Sequence, residues 1–260
     1  MLMTMSPAAA AAADPPDPVA PPNQEQAAAR VVKTFRVASL NILGSNHTRG
    51  ADKKRTVKTA RLLRDRRVAV AGLQEVQADQ LGWLKDRLPG YRIWPGSRYG
   101  AQGLRLQIAW KKRRFALRDH GSITTTFSHF QRPIPWVRLE DRQSGRVFSV
   151  IDIHNSPSGQ EAARDAATRQ QVDLYKRLRT NGPVLLMGDA NERKEWFCKV
   201  TRATDARAAN GGQHVDGCIP PTPTYVDWLM GGGSFDWRRY RAEETTVSDH
   251  KLHSAVVRWG

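Results

Sequence analysis

Cysteine is nearly absent from this chain: two residues in 260, with no Cys and His grouped at zinc-finger spacing. That excludes a disulfide-built mini-domain and speaks against a structural zinc site. No apolar run reaches the roughly 20 residues that a membrane-spanning helix requires. No repeat of fixed period is visible, which sets aside solenoids and propellers. Acidic residues are also scarce, 25 Asp and Glu against 41 Lys and Arg, for a formal charge of +16. Asp14, Asp17 and Glu25 are the only charged residues before Arg30, so the basic excess lies wholly downstream. Such a surplus points to an anionic partner, whether nucleic acid, a lipid head group or another phosphate ester.

What remains is ordinary globular composition, 40% hydrophobic and 25% charged, in a length that suits one large domain. Residues 1–33 read as a flexible Ala/Pro-rich leader, closer to a linker or a remnant signal than to a working one. Residues 34–260 read as one domain, and a monomer is expected. Neither Cys198 nor Cys218 lies in an apolar run that would bury a free thiol. A disulfide is therefore favoured over two thiols, and a secreted or cell-envelope location over a cytoplasmic one.

Strands are predicted at 34–43, 68–76, 91–95, 105–112, 134–141, 146–154, 183–188, 234–239 and 251–259. Helices are predicted at 53–67, 78–88, 160–179 and near 192–199, with 204–224 irregular. Helix and strand alternate over much of the chain, yet several strands follow one another in the middle. That mixture indicates α and β layers with partly antiparallel sheets.

Polar residues gather where apolar runs end. "SLN" ends at Asn41, "GLQEV" carries Glu75, and "VIDIHN" ends at His154 and Asn155. "LLMGDAN" ends at Asp189 and Asn191, and "VSDHKL" offers Asp249 and His250. Alone, each has an ordinary structural use: a strand-end cap, a surface ion pair, an Asx turn. Pooled on one side of a sandwich they supply hard oxygens suited to Mg²⁺, Mn²⁺ or Ca²⁺. They also supply two imidazoles with carboxylate partners for acid–base work near neutral pH.

The order of these groups resembles the endonuclease/exonuclease/phosphatase superfamily, with its deoxyribonuclease I-like fold. The resemblance rests on Asn41, "LQE" 73–75, His154, "GDAN" 188–191, Asp236 in "SFDWRR" and "SDH" 248–250, and spans about residues 34–259. It implies an α+β, four-layer α/β/β/α sandwich of two mixed, largely antiparallel sheets flanked by helices. It implies that Glu75, with Asn41 and Asp249, holds a divalent metal, and that Asp189 and Asn191 activate and hold the attacking water. His154 and His250 would then meet the scissile phosphate, with Asp236 behind His250. The family signature departs at Gln107 and after His154. Asn155, Arg98, Tyr99 and Arg105 are the candidate substrate contacts.

Basic clusters at Arg64, Arg66 and Arg67, Lys111 to Arg114, and Arg238, Arg239 and Arg241 favour nucleic acid as the substrate. A catalytically silent nucleic-acid-binding module would use the same charge, but has no need of the whole polar set. A phosphatase, or a phospholipid phosphodiesterase acting on sphingomyelin or an inositol phosphate, is the alternative. No inserted hydrophobic hairpin for docking to membranes is evident.

Overall fold

The computed structural model describes residues 34–48, 50 and 52–259; the expected leader lies outside them. One six-stranded sheet contains β1 (Thr34–Asn41), β2 (Val70–Gln74), β3 (Tyr91–Trp94), β4 (Leu106–Lys111), β13 (Phe235–Glu243) and β14 (Leu252–Trp259), ordered β13-β14-β1-β2-β4-β3. The other contains β5 (Phe115–Phe127), β6 (Phe130–Asp141), β7 (Val147–His154), β8 (Val184–Asp189), β9 (Arg207–Ala208) and β12 (Asp227–Gly232), ordered β5-β6-β7-β8-β12-β9. In each sheet one central pair is parallel, β1 with β2 and β7 with β8, and the remaining pairs are antiparallel.

Helices α1 (Asp52–Asp65) and α2 (Ala78–Arg87) flank the first sheet, while α4 (Glu161–Arg179) and α5 (Lys194–Ala203) flank the second. A short α3 (Gly100–Leu104) leads into β4. Three apolar layers result. The middle one packs Phe35, Val37 and Trp110 of one sheet against Phe148, Leu185 and Met187 of the other. The outer two bury Leu40 and Leu63 on one side, Ile151 and Trp196 on the other. This is the four-layer α/β/β/α sandwich.

Strand periodicity then decides where the polar groups go. Val37 faces the middle layer, so Ser39 and Asn41 do too; Val70 carries Gly72 and Gln74 with it. Val150 carries Asp152 and His154, and Leu185 and Met187 carry Asp189. Each strand is apolar at its start and polar on the same inner face at its end. Register completes the alignment: Asn41 lies beside Gln74, His154 beside Asp189, and Asp227 beside Asp189. Gly188, with φ near 138°, lets β8 pass close to β7, since a Cβ there would lie 2.0 Å from the Ile153 carbonyl oxygen.

β5, β12 and the two-residue strands inside 204–224, β9 among them, depart from the sequence reading. β5 escaped notice because its middle, "RDHGSITTT", is polar and half-exposed. β12 was hidden beside the irregular 204–224 stretch. The β5–β6 turn, moreover, carries Phe130 at 55% exposure, an apolar tip not foreseen. The cysteines do pair: Cys198 of α5 is bonded to Cys218 of β11 (Cys218–Ile219), half of a two-stranded ribbon with β10 (Gln213–His214). Among the described residues no helix is long and apolar enough to cross a membrane.

Candidate active site

The inner-face residues close on one another at the strand ends. Asn41 Nδ2 donates to Glu75 Oε1 at 2.8 Å and to Asp189 Oδ2 at 3.2 Å, joining the two sheets with one amide. Glu75 Oε2 accepts from the Gly44 backbone N–H at 3.1 Å and lies 3.5 Å from His47 Nε2. The backbone at Gly44 runs close to the end of β2, where a Cβ would lie 3.0 Å from the Glu75 carbonyl oxygen. Gln80 of α2 holds that loop by accepting from the Ser45 and Gln77 amides and donating to the Leu43 carbonyl. Glu75 itself has φ near 64° and Asn191 near 51°, left-handed conformations that cost about 1 kcal/mol or more in residues other than glycine.

Asp189 is the centre of the cluster. Its Oδ1 accepts from the Asn191 backbone N–H at 2.8 Å. Its Oδ2 lies 3.5 Å from His154 Nε2 and 3.8 Å from His250 Nε2. Burial, reinforced by the negative charge of neighbouring Asp227, pushes its pKa up, as suits a base that works near neutrality. The Asn191 side chain donates to the Asn155 carbonyl at 2.9 Å, and the residue lines the cavity beside Asp189. His154 is 5% exposed and held well below its ordinary pKa, first by burial and then by the charges of Arg132, His250 and Arg105. It is a neutral imidazole beside the edge of Phe127.

His250 behaves oppositely. Its Nδ1 lies 2.8 Å from Asp227 Oδ2. Burial pulls its pKa down, but the Asp227 hydrogen bond and charge, with Asp189 and Asp249, lift it to about 9. The carboxylate behind His250 is therefore Asp227, and the assignment of that role to Asp236 is corrected. Asp236 opens β13 near Arg238, to which it is paired at 2.7 Å with half-exposed side chains. The string "VDWLM" 226–230 holds an acid inside an apolar run as well as "SFDWRR" does. The apolar residues after Asp227 mark a buried central strand; the arginines after Asp236 mark an edge.

The expected substrate contacts divide. Arg105 lines the cavity with Asn46, His47, Glu75, Gln102, Phe127, Phe130, Arg132, His154, Asp189, Asn191 and His250, enclosing about 400 Å³. Arg98 and Tyr99 pack instead on Trp94, one over its ring and one at its edge. Asn155 is a correction as well. It is 1% exposed, and its side chain turns inward to accept from Gln171 Nε2 at 2.6 Å on α4, so it supports Asn191 through its backbone only.

Arg132 carried no sequence signal. It stacks over Phe127 and is 6% exposed, yet neither Nε nor Nη1 has a hydrogen-bond partner among the described residues. Burial pulls its pKa to about 9, so it remains cationic at neutral pH. A buried, charged and unpaired guanidinium in a cavity is arranged for an anion.

Glu75 lines the cavity with hard oxygens of the kind a Mg²⁺-like cation takes, and Asp249 lies exposed in the loop that Ser248 ties to the Asn41 carbonyl. Asn41 turns its amide nitrogen to Glu75 and its oxygen to the Leu43 N–H, which makes it the orienting group of that set. Ligand atoms of Asp189, Asp227 and His250 also fall within 4.8 Å of one another. There, however, Nδ1 of His250 is already engaged with Asp227, which suits proton transfer better than ligation.

The sequence of this domain matches a family model. The "Endonuclease/Exonuclease/phosphatase family" model covers residues 38–250. The chain belongs to that family, and it is a phosphoric-ester hydrolase by membership. Solved structures with the same fold include a family member from Bacteroides thetaiotaomicron, at TM-score 0.71 and 18% identity over 88% of this chain and 99% of that one. A truncated TDP2 from Caenorhabditis elegans matches at 0.68 and 18% over 87% and 98%. A mannosyl-6-phosphatase from Bacteroides thetaiotaomicron matches at 0.64 and 18% over 86% and 98%. No curated protein sequence matches the chain.

Proposed function

We propose that the protein is a divalent-metal-dependent phosphodiesterase acting on nucleic acid. The observation that carries this reading is the unpaired Arg132, beside Arg105, facing the Asp189–His250 pair across one cavity in a chain of net charge +16. A phosphodiester repels its nucleophile, so cations and donors must gather around it before attack.

Each group then has a part. Arg132 and Arg105 anchor non-bridging oxygens of the scissile phosphate, with His154 as a neutral donor. Asp189, held by Asn41 and the Asn191 N–H, takes the proton of the attacking water, and the Asn191 amide oxygen aligns that water. Protonated His250, charged by Asp227, faces the developing negative charge and returns a proton to the leaving oxygen. Mg²⁺ or Mn²⁺ at Glu75 and Asp249 would supply charge neutralisation at the phosphate.

A phosphatase is the second reading, favoured by a cavity closed on one side by Phe127 and Phe130 and by the fold shared with a sugar phosphatase. A lipid substrate draws little support from the lone Phe130 at the hairpin tip, because one ring contributes only about 2–3 kcal/mol of membrane burial. The Cys198–Cys218 bridge favours export to an oxidising compartment.

The test incubates purified protein with plasmid, single-stranded DNA, RNA, sugar phosphates and sphingomyelin, with Mg²⁺ or with EDTA, beside Asp189→Ala. Metal-dependent cleavage of nucleic acid, lost in the variant, is expected. Turnover that survives EDTA or the substitution would overturn the mechanism, and hydrolysis of sugar phosphates alone would select the phosphatase.

A further inference from the structure

β14 holds a histidine where its pattern calls for an apolar residue. Ala255 and Val257 face the middle layer, and the two-residue period places His253 on that same face, 1% exposed. A core histidine often merely fills space, but then its nitrogens find partners nearby. Here Nδ1 lies 2.7 Å from the Tyr240 hydroxyl of β13, while Nε2 has no hydrogen-bond partner among the described residues. That Nε2 lies 3.9 Å from Asp227 Oδ2, the same oxygen that meets His250 Nδ1. Oδ1 of Asp227 is likewise buried without a partner. The Tyr225 ring closes the remaining side of the imidazole, edge-on at 4.9 Å.

We infer that His253, with its tautomer set by Tyr240, is a positioning residue that orients the Asp227 carboxylate and, through the 2.8 Å Asp227–His250 contact, the His250 ring; this rests on the catalytic reading of His250 given above. Tyr240 stays protonated, since burial pushes its pKa up, followed by Tyr225 and Asp227. Its hydroxyl can therefore donate to Nδ1, which leaves the ring proton on Nε2, facing the carboxylate. Burial holds His253 down at about 4, with His250 and Lys251 acting in the same direction and only Asp227 opposing. The ring thus offers Asp227 an N–H dipole and no positive charge. An N–H dipole steadies the carboxylate anion without competing for the His250 proton, as outer partners of catalytic and metal-binding histidines do elsewhere. Asp227 then lies between two imidazoles, one charged and facing the cavity, one neutral and facing the core.

Nitrogen-15 NMR of histidine-labelled protein reads the tautomer without any substrate. Nε2–H is expected for His253 in the wild type, with that preference weakened in Tyr240→Phe; an Nδ1–H tautomer in the wild type overturns the inference. Kinetics on a diester substrate supply the second reading. His253→Leu should lower kcat about tenfold with KM nearly unchanged. His253→Gln places an amide N–H close to the position of Nε2 and should restore most of the loss. Gln performing no better than Leu, or a loss carried by KM, refutes the positioning role. If His253→Leu does not fold, His253→Gln against Tyr240→Phe decides the same point. A wild type that hydrolyses no phosphoester defeats the functional reading, whereas the NMR result is unaffected by it.

Discussion

Asp227→Asn removes one charge and almost no shape, because the amide oxygen can still accept from His250 Nδ1 at the 2.8 Å contact. The magnitude follows from His250. At its present pKa of about 9, roughly 90% of the imidazole is protonated at pH 8, against about 3% at the ordinary 6.5. Without the Asp227 charge, burial is the leading influence and works downward. The variant is therefore expected to lose about 30-fold or more in kcat/KM at pH 8 and much less at pH 6. The alkaline limb of the profile should move from about 9 to 6.5 or below. The assay is kcat/KM for bis-p-nitrophenyl phosphate with excess Mg²⁺ across that pH range, for the wild type, Asp227→Asn and Asp236→Asn. Asp236→Asn should track the wild type, its partner being Arg238. An unmoved limb in Asp227→Asn, or a shifted one in Asp236→Asn, refutes the pairing.

The remaining expectations concern binding and stability. Arg132→Met keeps an apolar contact on Phe127 and removes an unpaired buried charge; it should stabilise the fold by about 1–4 kcal/mol while raising KM about tenfold or more, and a lowered melting temperature with unchanged KM would contradict the anion role. The folded-state pKa of His253, about 4, lies below its unfolded value, so the unfolded chain binds the extra proton and stability falls as pH drops from about 6.5 to 4, by at most about 3 kcal/mol from this group. Buried His154 acts in the same direction; denaturant titrations should show the slope, and His253→Leu should flatten it. Reducing the Cys198–Cys218 bond, which spans 20 residues, should cost about 3 kcal/mol, and an unchanged denaturation midpoint would count against that.

How much of this was legible beforehand depends on the kind of signal. Strand-end residues were readable because an apolar run with a polar terminus is a local pattern, and the two-residue period carries that pattern to one face. Asn41, Glu75, His154, Asp189, Asn191 and His250 belong to this class, and the structure brings them together. Arg132 was not readable, since it sits on a hairpin strand whose partner reads as loop, and only tertiary burial separates it from other arginines in a basic chain. Asn155 was misplaced because sequence adjacency to His154 does not tell which way a side chain turns after a strand ends. For Asp227 and Asp236 the deciding information was present in the neighbours: an acid followed by Trp228, Leu229 and Met230 must be central, and one followed by Trp237, Arg238 and Arg239 must not.

The same rim concentrates what a fold would otherwise avoid. Of the six described residues other than glycine with positive φ, Leu43, Glu75, Ser128 and Asn191 lie on loops around this cavity. Asp189 and Asp227 are register partners with two buried carboxylates side by side. Arg132 is a buried cation without an ion pair, and His154 a buried ring with an unpartnered Nδ1. None of these stabilises the chain by itself, and three fully apolar layers lie at the other end of the strands to carry them. An arriving phosphate changes that balance, since it gives the guanidinium its counter-charge and the imidazoles their acceptor. Substrate binding should therefore stabilise the fold beyond what its contact area implies, and much of that excess should vanish in Arg132→Met. Melting the Asp189→Ala protein with and without a non-cleaved diester reads the excess directly, and an equal shift in the Arg132→Met, Asp189→Ala double variant would show that the unpaired cation contributes nothing to it.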